Sequence, residues 1–244
     1  EANPSDAKLA YSYLELLQAA CADADREVES YFKTQKENDF KSADNWKIIF
    51  TFVNDPNSEV FKYLLKNKKD FESSAPAELI NKKIEGVFET GLQKIIRKGD
   101  VQGFEAMKTS VRNAGIENAE KIILNADMLK FQKGKDWKNY AAAAEKYITA
   151  YSKDDPQILN SVAWTFYENI SDNSLLSKAA AWAAHASQIA DNYAVNDTYA
   201  AVLYKLGKKN EARETARKAI ELAKKEGADY KETEDLLAKI EKLK

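Results

Sequence analysis

The chain has 244 residues, of which 44% are apolar, so it can bury a core for one large domain or two smaller ones. With 8 Gly and 4 Pro among many Ala, Lys, Glu and Leu residues, helix formers dominate and an all-α fold is expected. The formal net charge is -2, and acidic and basic residues are intermixed, which argues against nucleic acid as a partner because nucleic-acid binding needs clustered Lys and Arg.

Residues 1–117 are expected to form an irregular helical region without a sequence repeat. Asp6 is a predicted N-cap of a helical segment that extends to about Gln35 and is interrupted near residues 23–25. A second helix is predicted to follow Ser42, because apolar residues then recur at helical spacing. Its apolar face is expected to contain Trp46, Ile49, Phe50 and Val53.

Turn-forming residues mark the remaining helix ends in this region. The sequence NDPN at 54–57 predicts a tight turn, and Pro76 predicts the first turn of a long helix. Gly99 and Gly115 are predicted to end the last two helices of this region, because glycine accepts the left-handed conformation of a C-terminal cap.

From about residue 118 onward, alanine recurs at spacings that suit an array of helix pairs. Ala144, Ala179 and Ala212 are separated by close to the period of about 34 residues found in such arrays. A small residue is needed where two helices cross closely, so these three alanines are predicted to be buried at crossings. One helical face is expected to contain Trp137, Tyr140, Ala141, Ala144, Tyr147, Ile148 and Tyr151.

This recurrence resembles the tetratricopeptide repeat, whose best match here is the third unit. The matching residues of that unit are Tyr199, Ala200, Leu203, Gly207, Ala212 and Ala219. The resemblance implies that residues 118–244 form antiparallel helix pairs in a right-handed superhelix, with the last helix as a cap. Together with residues 1–117 they are expected to form one continuous solenoid.

A second resemblance covers roughly residues 27–240. The segments DWKNYAAAAEKYITAY and NYAVNDTYAAVLYKLGKKNEA are similar to the helical region that follows the thioredoxin domain in thioredoxin-family proteins of Bacteroidetes. This resemblance implies an exported, periplasmic bacterial protein or the accessory helical half of one, and a first residue that is Glu instead of Met fits a processed N-terminus. The thioredoxin CxxC motif has no counterpart here, so a disulfide-exchange role cannot be transferred to Cys21.

The sequence offers few residues for catalysis or metal binding. Cys21 is the only cysteine and His185 the only histidine, which excludes metal sites built from several cysteines or histidines. Cys21 is predicted to be a small buried or half-buried residue, and His185 a structural or surface residue. No enzyme activity and no cofactor are therefore expected, and without a run of 18 apolar residues no membrane insertion is expected either.

The helical repeats instead predict a binding surface, because the first helices of stacked pairs line an extended groove that accepts peptides or proteins. The side chains expected on that concave surface are Lys133, Trp164, Glu168, Asp197, Tyr204 and Lys205. An alternative interpretation remains open in which Trp164 only packs between repeats and Lys205 is only solvated. Leu129 and Ser161 stand where some tetratricopeptide domains carry the residues that clamp a C-terminal carboxylate, so a receptor of that kind is not expected.

Three functions remain open at this point. The preferred hypothesis is a non-catalytic protein- or peptide-binding scaffold of the bacterial cell envelope. The alternatives are an accessory helical domain of a thioredoxin-like thiol-disulfide oxidoreductase and an enzyme with an unrecognised site.

Overall fold

The computed structural model describes residues 5–243, and in that part of the chain every regular element is helical. The prediction of an all-α chain is confirmed, and no strand occurs between residues 5 and 243. The chain divides into two compact units, Glu1–Ala126 and Asp127–Lys244. The arrangement of the helices in a right-handed tetratricopeptide-like superhelix stays a prediction.

The N-terminal unit contains six helices and most of a seventh, which continues across the unit boundary. Their bounds are α1 Ala7–Ala19, α2 Asp25–Phe32, α3 Ala43–Phe52, α4 Glu59–Lys66, α5 Ala77–Lys98, α6 Val101–Asn113 and α7 Ala119–Lys133. The side chains of Asp6 and Ser42 cap α1 and α3 as predicted, because each accepts hydrogen bonds from the first turn. Gly99 ends α5 in the left-handed conformation, with φ 73°.

Large side chains fill the core of the N-terminal unit. Five phenylalanines are among its most deeply buried residues: Phe32, Phe61, Phe71, Phe88 and Phe104. The rings of Phe61 and Phe88 meet edge to face with centroids 5.2 Å apart. At Gly91 in α5 an added Cβ would lie 2.6 Å from Pro56 Cγ, so glycine lets the predicted turn at 54–57 pack against the helix.

The C-terminal unit continues with six more helices. Their bounds are α8 Trp137–Tyr147, α9 Pro156–Asn169, α10 Asn173–Ile189, α11 Tyr193–Lys205, α12 Lys209–Glu226 and α13 Lys231–Glu241. The side chains of Asp155, Asp172 and Asn192 cap α9, α10 and α11. Gly207 and Gly227 follow α11 and α12 with positive φ angles, which lets the chain turn sharply into the next helix.

Alanines form much of the core of the C-terminal unit. Ala144, Ala179 and Ala212 have no exposed surface, as the repeat pattern predicts. From α9 to α13 each helix packs against the next, and α9 also contacts α11. Small side chains at these positions let the helix backbones approach closely, so the alanines set the spacing of this unit.

Three predictions about single residues are wrong. Phe50 is 40% exposed, because α3 buries the arc that contains Asn45, Ile49 and Phe52, and Phe50 lies outside that arc against Trp46. Cys21 is exposed, since it occupies the turn after α1 with φ 53° and its amide bonds back to the Gln18 carbonyl.

The third correction concerns the end of α8. The residues Ile148–Ser152 form a turn of π-helix, which has more residues per turn than an α-helix. The wider turn rotates the side chains that follow, so Tyr151 is 40% exposed and Ser152 is buried in its place. The prediction that Tyr151 belongs to the packing face assumed an uninterrupted α-helix.

Candidate binding groove

A pocket of about 240 Å³ opens among α9, α11 and α13 in the C-terminal unit. Its side walls carry Trp164, Tyr167, Asp197, Glu232, Asp235 and Lys239. Ala201 and Leu236, both buried, also line it. This surface is called the Trp164 pocket below, and it combines an aromatic wall with several charged groups.

The aromatic wall comes from α9. The rings of Trp164 and Tyr167 lie with centroids 5.1 Å apart and planes tilted by 47°. Both side chains are half-buried and pack against the apolar cluster that contains Ala200, Ala201 and Leu203. Trp164 therefore combines the two roles left open by the sequence, since it packs between helices and also lines a pocket.

Asp197 is held in the pocket by a chain of hydrogen bonds. Thr233, which is fully buried, donates its hydroxyl proton to Asp197 Oδ1 over 2.6 Å. The Tyr193 hydroxyl lies 3.0 Å from Thr233 Oγ1 and therefore acts as the donor to it. Burial raises the pKa of the Asp197 carboxyl, with a further contribution from Glu232, while the bond from Thr233 acts in the opposite direction.

The remaining charges of the pocket come from one face of α13. Glu232, Asp235 and Lys239 are spaced by three and four residues, so they lie along the same side of the helix. Lys231 makes an exposed ion pair with Asp235 at 3.1 Å, which screens that carboxylate only weakly. With three carboxylates and one lysine in its lining, the pocket favours positive charge.

Lys205 links α11 to α9. Its Nζ donates a hydrogen bond to the Tyr167 carbonyl and lies 5.6 Å from the centre of the Tyr167 ring. Tyr167 is in the last turn of α9, where carbonyls lack helical partners and a cation is favourable. Burial lowers the pKa of Lys205. The alternative that Lys205 is only solvated is thereby replaced by a structural contact.

The structure brings only part of the predicted concave surface together. Trp164 and Asp197 line the pocket, and Tyr204, like Trp164, packs against the apolar cluster that contains Ala200, Ala201 and Leu203. Glu168 is exposed at the end of α9 and Lys133 is exposed at the end of α7, and neither lines the pocket.

Six lining residues were not predicted to lie on the binding surface: Tyr167, Ala201, Glu232, Asp235, Leu236 and Lys239. The prediction treated the last helix only as a cap, although its residues 232, 235, 236 and 239 recur at the spacing of one helical face. That spacing was the available signal for a second use of α13. For Tyr167 the signal was its position three residues after Trp164 on the same helix.

His185 contacts a single acidic partner. Its Nε2 lies 2.9 Å from Asp154 Oδ1, both side chains are substantially exposed, and the hydrogen bond lowers the pKa of Asp154. This agrees with the prediction of a structural or surface histidine. Among residues 5–243 no group of three His, Cys, Asp or Glu side chains is placed to hold a metal ion, and no helix there is long and apolar enough to span a bilayer.

A second pocket, of about 460 Å³, lies in the N-terminal unit. Phe32, Phe40, Val60 and Tyr63 form its apolar walls. Three lysines and two glutamates also line it. Two of these residues, Lys62 and Glu59, form an ion pair of 2.7 Å. Its charges largely cancel, so unlike the Trp164 pocket it shows no clear preference for the charge of a ligand.

No protein-family model, curated protein sequence or solved structure matches this chain.

Proposed function

We propose that this chain is a non-catalytic protein- or peptide-binding scaffold and that the Trp164 pocket is part of its binding surface. The observation that carries the proposal is that α9, α11 and α13, which alternate along the chain with α10 and α12, contribute side chains to one pocket. In a tetratricopeptide-like array the first helices of successive pairs line the groove in this way.

The chemistry of the lining suits recognition better than reaction. Trp and Tyr rings supply large contact areas that lose little side-chain entropy on binding, and they are common at the centres of interfaces. The Asp197 carboxyl accepts a hydrogen bond from the buried Thr233 hydroxyl, which fixes the position of one of its oxygens in the pocket lining. These features favour a binding pocket in which hydrogen bonds hold the Asp197 carboxyl in place.

The proposed setting is the periplasm of a bacterium, and the proposed fold of residues 118–244 is the tetratricopeptide-like superhelix. Both proposals rest on the sequence resemblances described above. The recurrence of fully buried alanines at 144, 179 and 212 supports the second of them.

Site-specific photo-cross-linking tests the proposal. A photoreactive amino acid is placed at Asp235, which lines the pocket, or at Glu234, which is exposed on the same helix outside it. In extracts of the source cells we expect a defined protein or peptide adduct from position 235 and none from position 234. Equal adducts at both positions, or adducts only from position 234, would reject the Trp164 pocket as a binding surface.

A further inference from the structure

The size and charge of the Trp164 pocket indicate which kind of chemical group it can bind. Its volume of about 240 Å³ lies below the range of about 300–1,000 Å³ typical for whole drug-sized ligands. The pocket is therefore better suited to one side chain of a larger partner. That side chain meets rings on one wall and carboxylates on the other.

Aromatic and acidic groups together select one kind of side chain. A guanidinium or ammonium group is attracted to the face of a Trp or Tyr ring, and arginine also stacks on such rings through its planar head. Carboxylates bind the same groups through charge-assisted hydrogen bonds. An apolar side chain would use the rings but gain no charge-assisted contact with Asp197, Glu232 or Asp235.

The structure already shows one contact of this kind beside the pocket. Lys205 Nζ lies over the Tyr167 ring and bonds to the carbonyl oxygen of the same residue. Tyr167 is thus engaged by a cation of this chain, and Trp164, 5.1 Å from it, presents the adjacent ring of the same wall.

Building on the proposed function, we infer that the Trp164 pocket accepts a basic side chain of the bound partner, with arginine preferred over lysine. The cationic head lies against the Trp164 ring and between the carboxylates of Asp197 and Glu232, with Asp235 at the outer edge. Lys239 also lines the pocket, and its positive charge repels the cationic head and weakens the binding.

Probes of single side chains test the inference on the full chain. N-acetyl-arginine amide, N-acetyl-norleucine amide and N-acetyl-glutamate amide are titrated, and dissociation constants are taken from the indole signals in heteronuclear NMR spectra. We expect the arginine probe to bind at least about tenfold more tightly than the glutamate probe, a difference of about 1.4 kcal/mol. Its binding should weaken as salt is added, because the attraction is between charges.

Variants on α13 give effects of opposite sign. Glu232→Gln and Asp235→Asn should each weaken the arginine probe several-fold, and Lys239→Gln should strengthen it. Glu234→Gln, which changes the same charge on the same helix outside the pocket, should leave the dissociation constant unchanged. All four side chains are exposed on the surface, so the fold should tolerate these changes.

Two results would overturn the inference. One is norleucine binding as tightly as arginine, which would make the pocket an apolar site. The other is equal weakening by Glu232→Gln and Glu234→Gln, which would reduce the effect to overall charge. If cross-links from position 235 persist while the arginine probe fails, only the basic side chain is rejected. If position 235 also yields no adduct, the proposed function fails with it.

Discussion

The two units of the chain fill their cores with different side chains. In the N-terminal unit rings such as Phe61, Phe71 and Phe88 occupy the interior, whereas in the C-terminal unit alanines such as Ala144 and Ala179 do so. Large rings hold helices apart at variable distances and angles, and alanines allow close and repeated crossings. The contrast agrees with the sequence, in which alanines recur with a period of about 34 residues only after about residue 118.

The contrast also bears on where a pocket with fixed geometry can form. In the C-terminal unit the spacing between α9 and α11 is set by small residues with one methyl group each, which cannot adopt alternative rotamers. Side chains of these helices that line the pocket, including Trp164 and Asp197, are then held at defined distances. Such support favours a preorganised binding surface.

The largest effect is expected from removing a ring in the N-terminal core. Phe88→Ala leaves a cavity beside Phe61 and should lower the free energy of unfolding by about 3–5 kcal/mol. Phe50→Ala is the matched control, because Phe50 is 40% exposed and lies at the edge of the core, and should cost about 1 kcal/mol or less. Chemical denaturation measures both, and equal losses would show that ring burial does not govern this core.

Adding side-chain volume, instead of removing it, tests the close packing of the C-terminal core. Ala179→Leu adds three carbons where no surface is exposed and should destabilise by about 1–3 kcal/mol, because the crossing helices must move apart. Ala181→Leu, on the exposed side of the same helix, should change stability by no more than about 0.5 kcal/mol. If thermal unfolding shows Ala179→Leu to be as stable as Ala181→Leu, the close crossing at Ala179 is disproved.

One lysine of the N-terminal unit, Lys83, is buried, and burying its charge destabilises the folded state. Lys83 is 7% exposed, its Nζ bonds to Asn54 Oδ1 over 3.2 Å, and burial lowers its pKa to about 8. Below that pH the amine is charged in both states, and the folded state bears the cost of burying it. Lys83→Met should therefore raise the free energy of unfolding at pH 7, by about 1–3 kcal/mol.

The gain from Lys83→Met should shrink as pH rises from about 8 to 10.5, since the folded wild-type protein loses its proton over this range before the unfolded chain does. Lys82→Met, at the exposed neighbouring position, is the control and should change the free energy of unfolding by no more than about 0.5 kcal/mol. Denaturant unfolding at pH 7 and pH 10.5 distinguishes the two. A gain that persists at pH 10.5 would assign the effect to apolar packing instead of charge.

The smallest effect is expected at the carboxyl of the Trp164 pocket. Burial raises the pKa of Asp197, so its ionised form is disfavoured in the folded state, and Asp197→Asn should be as stable as wild type or more stable at pH 7, within about 1 kcal/mol. Asn keeps an acceptor for Thr233. As pH falls below the ordinary carboxyl value of 3.8, the wild-type residue is protonated too and the difference should vanish.

Glu214→Gln, an exposed change on α12, is the reference for Asp197→Asn. It should leave the free energy of unfolding unchanged within about 0.5 kcal/mol. Urea titrations at pH 7 and pH 3 measure both variants. A loss of stability in Asp197→Asn at pH 7 would mean that the charge itself, and not the position of the oxygen, is required by Thr233.

The helices of this chain could be predicted from the sequence because their ends carry strong local signals. Asp6 and Ser42 cap helices where helix starts are expected, and Gly99 ends one. These signals act within a few residues and do not depend on the rest of the fold. The π-turn at Ile148–Ser152 has no comparable local signal, so Tyr151 was assigned to the wrong face.

The pocket could be predicted only in part because it depends on contacts between distant segments. Trp164 and Asp197 were identified from their expected places on first helices, but the partner of Asp197 is Thr233, 36 residues further along. That contact arises from packing between α11 and α13, which no pattern within either helix specifies. The same reason explains why Lys205 was not recognised as a partner of the Tyr167 carbonyl.

Hydrogen–deuterium exchange of the complex with the partner captured at position 235 tests the central claim most directly. We expect slower exchange in α9, α11 and α13 on binding, with α10 and α12 unchanged, because only the first set contributes to the Trp164 pocket. Protection confined to α10 and α12, or to the N-terminal unit, would contradict the account.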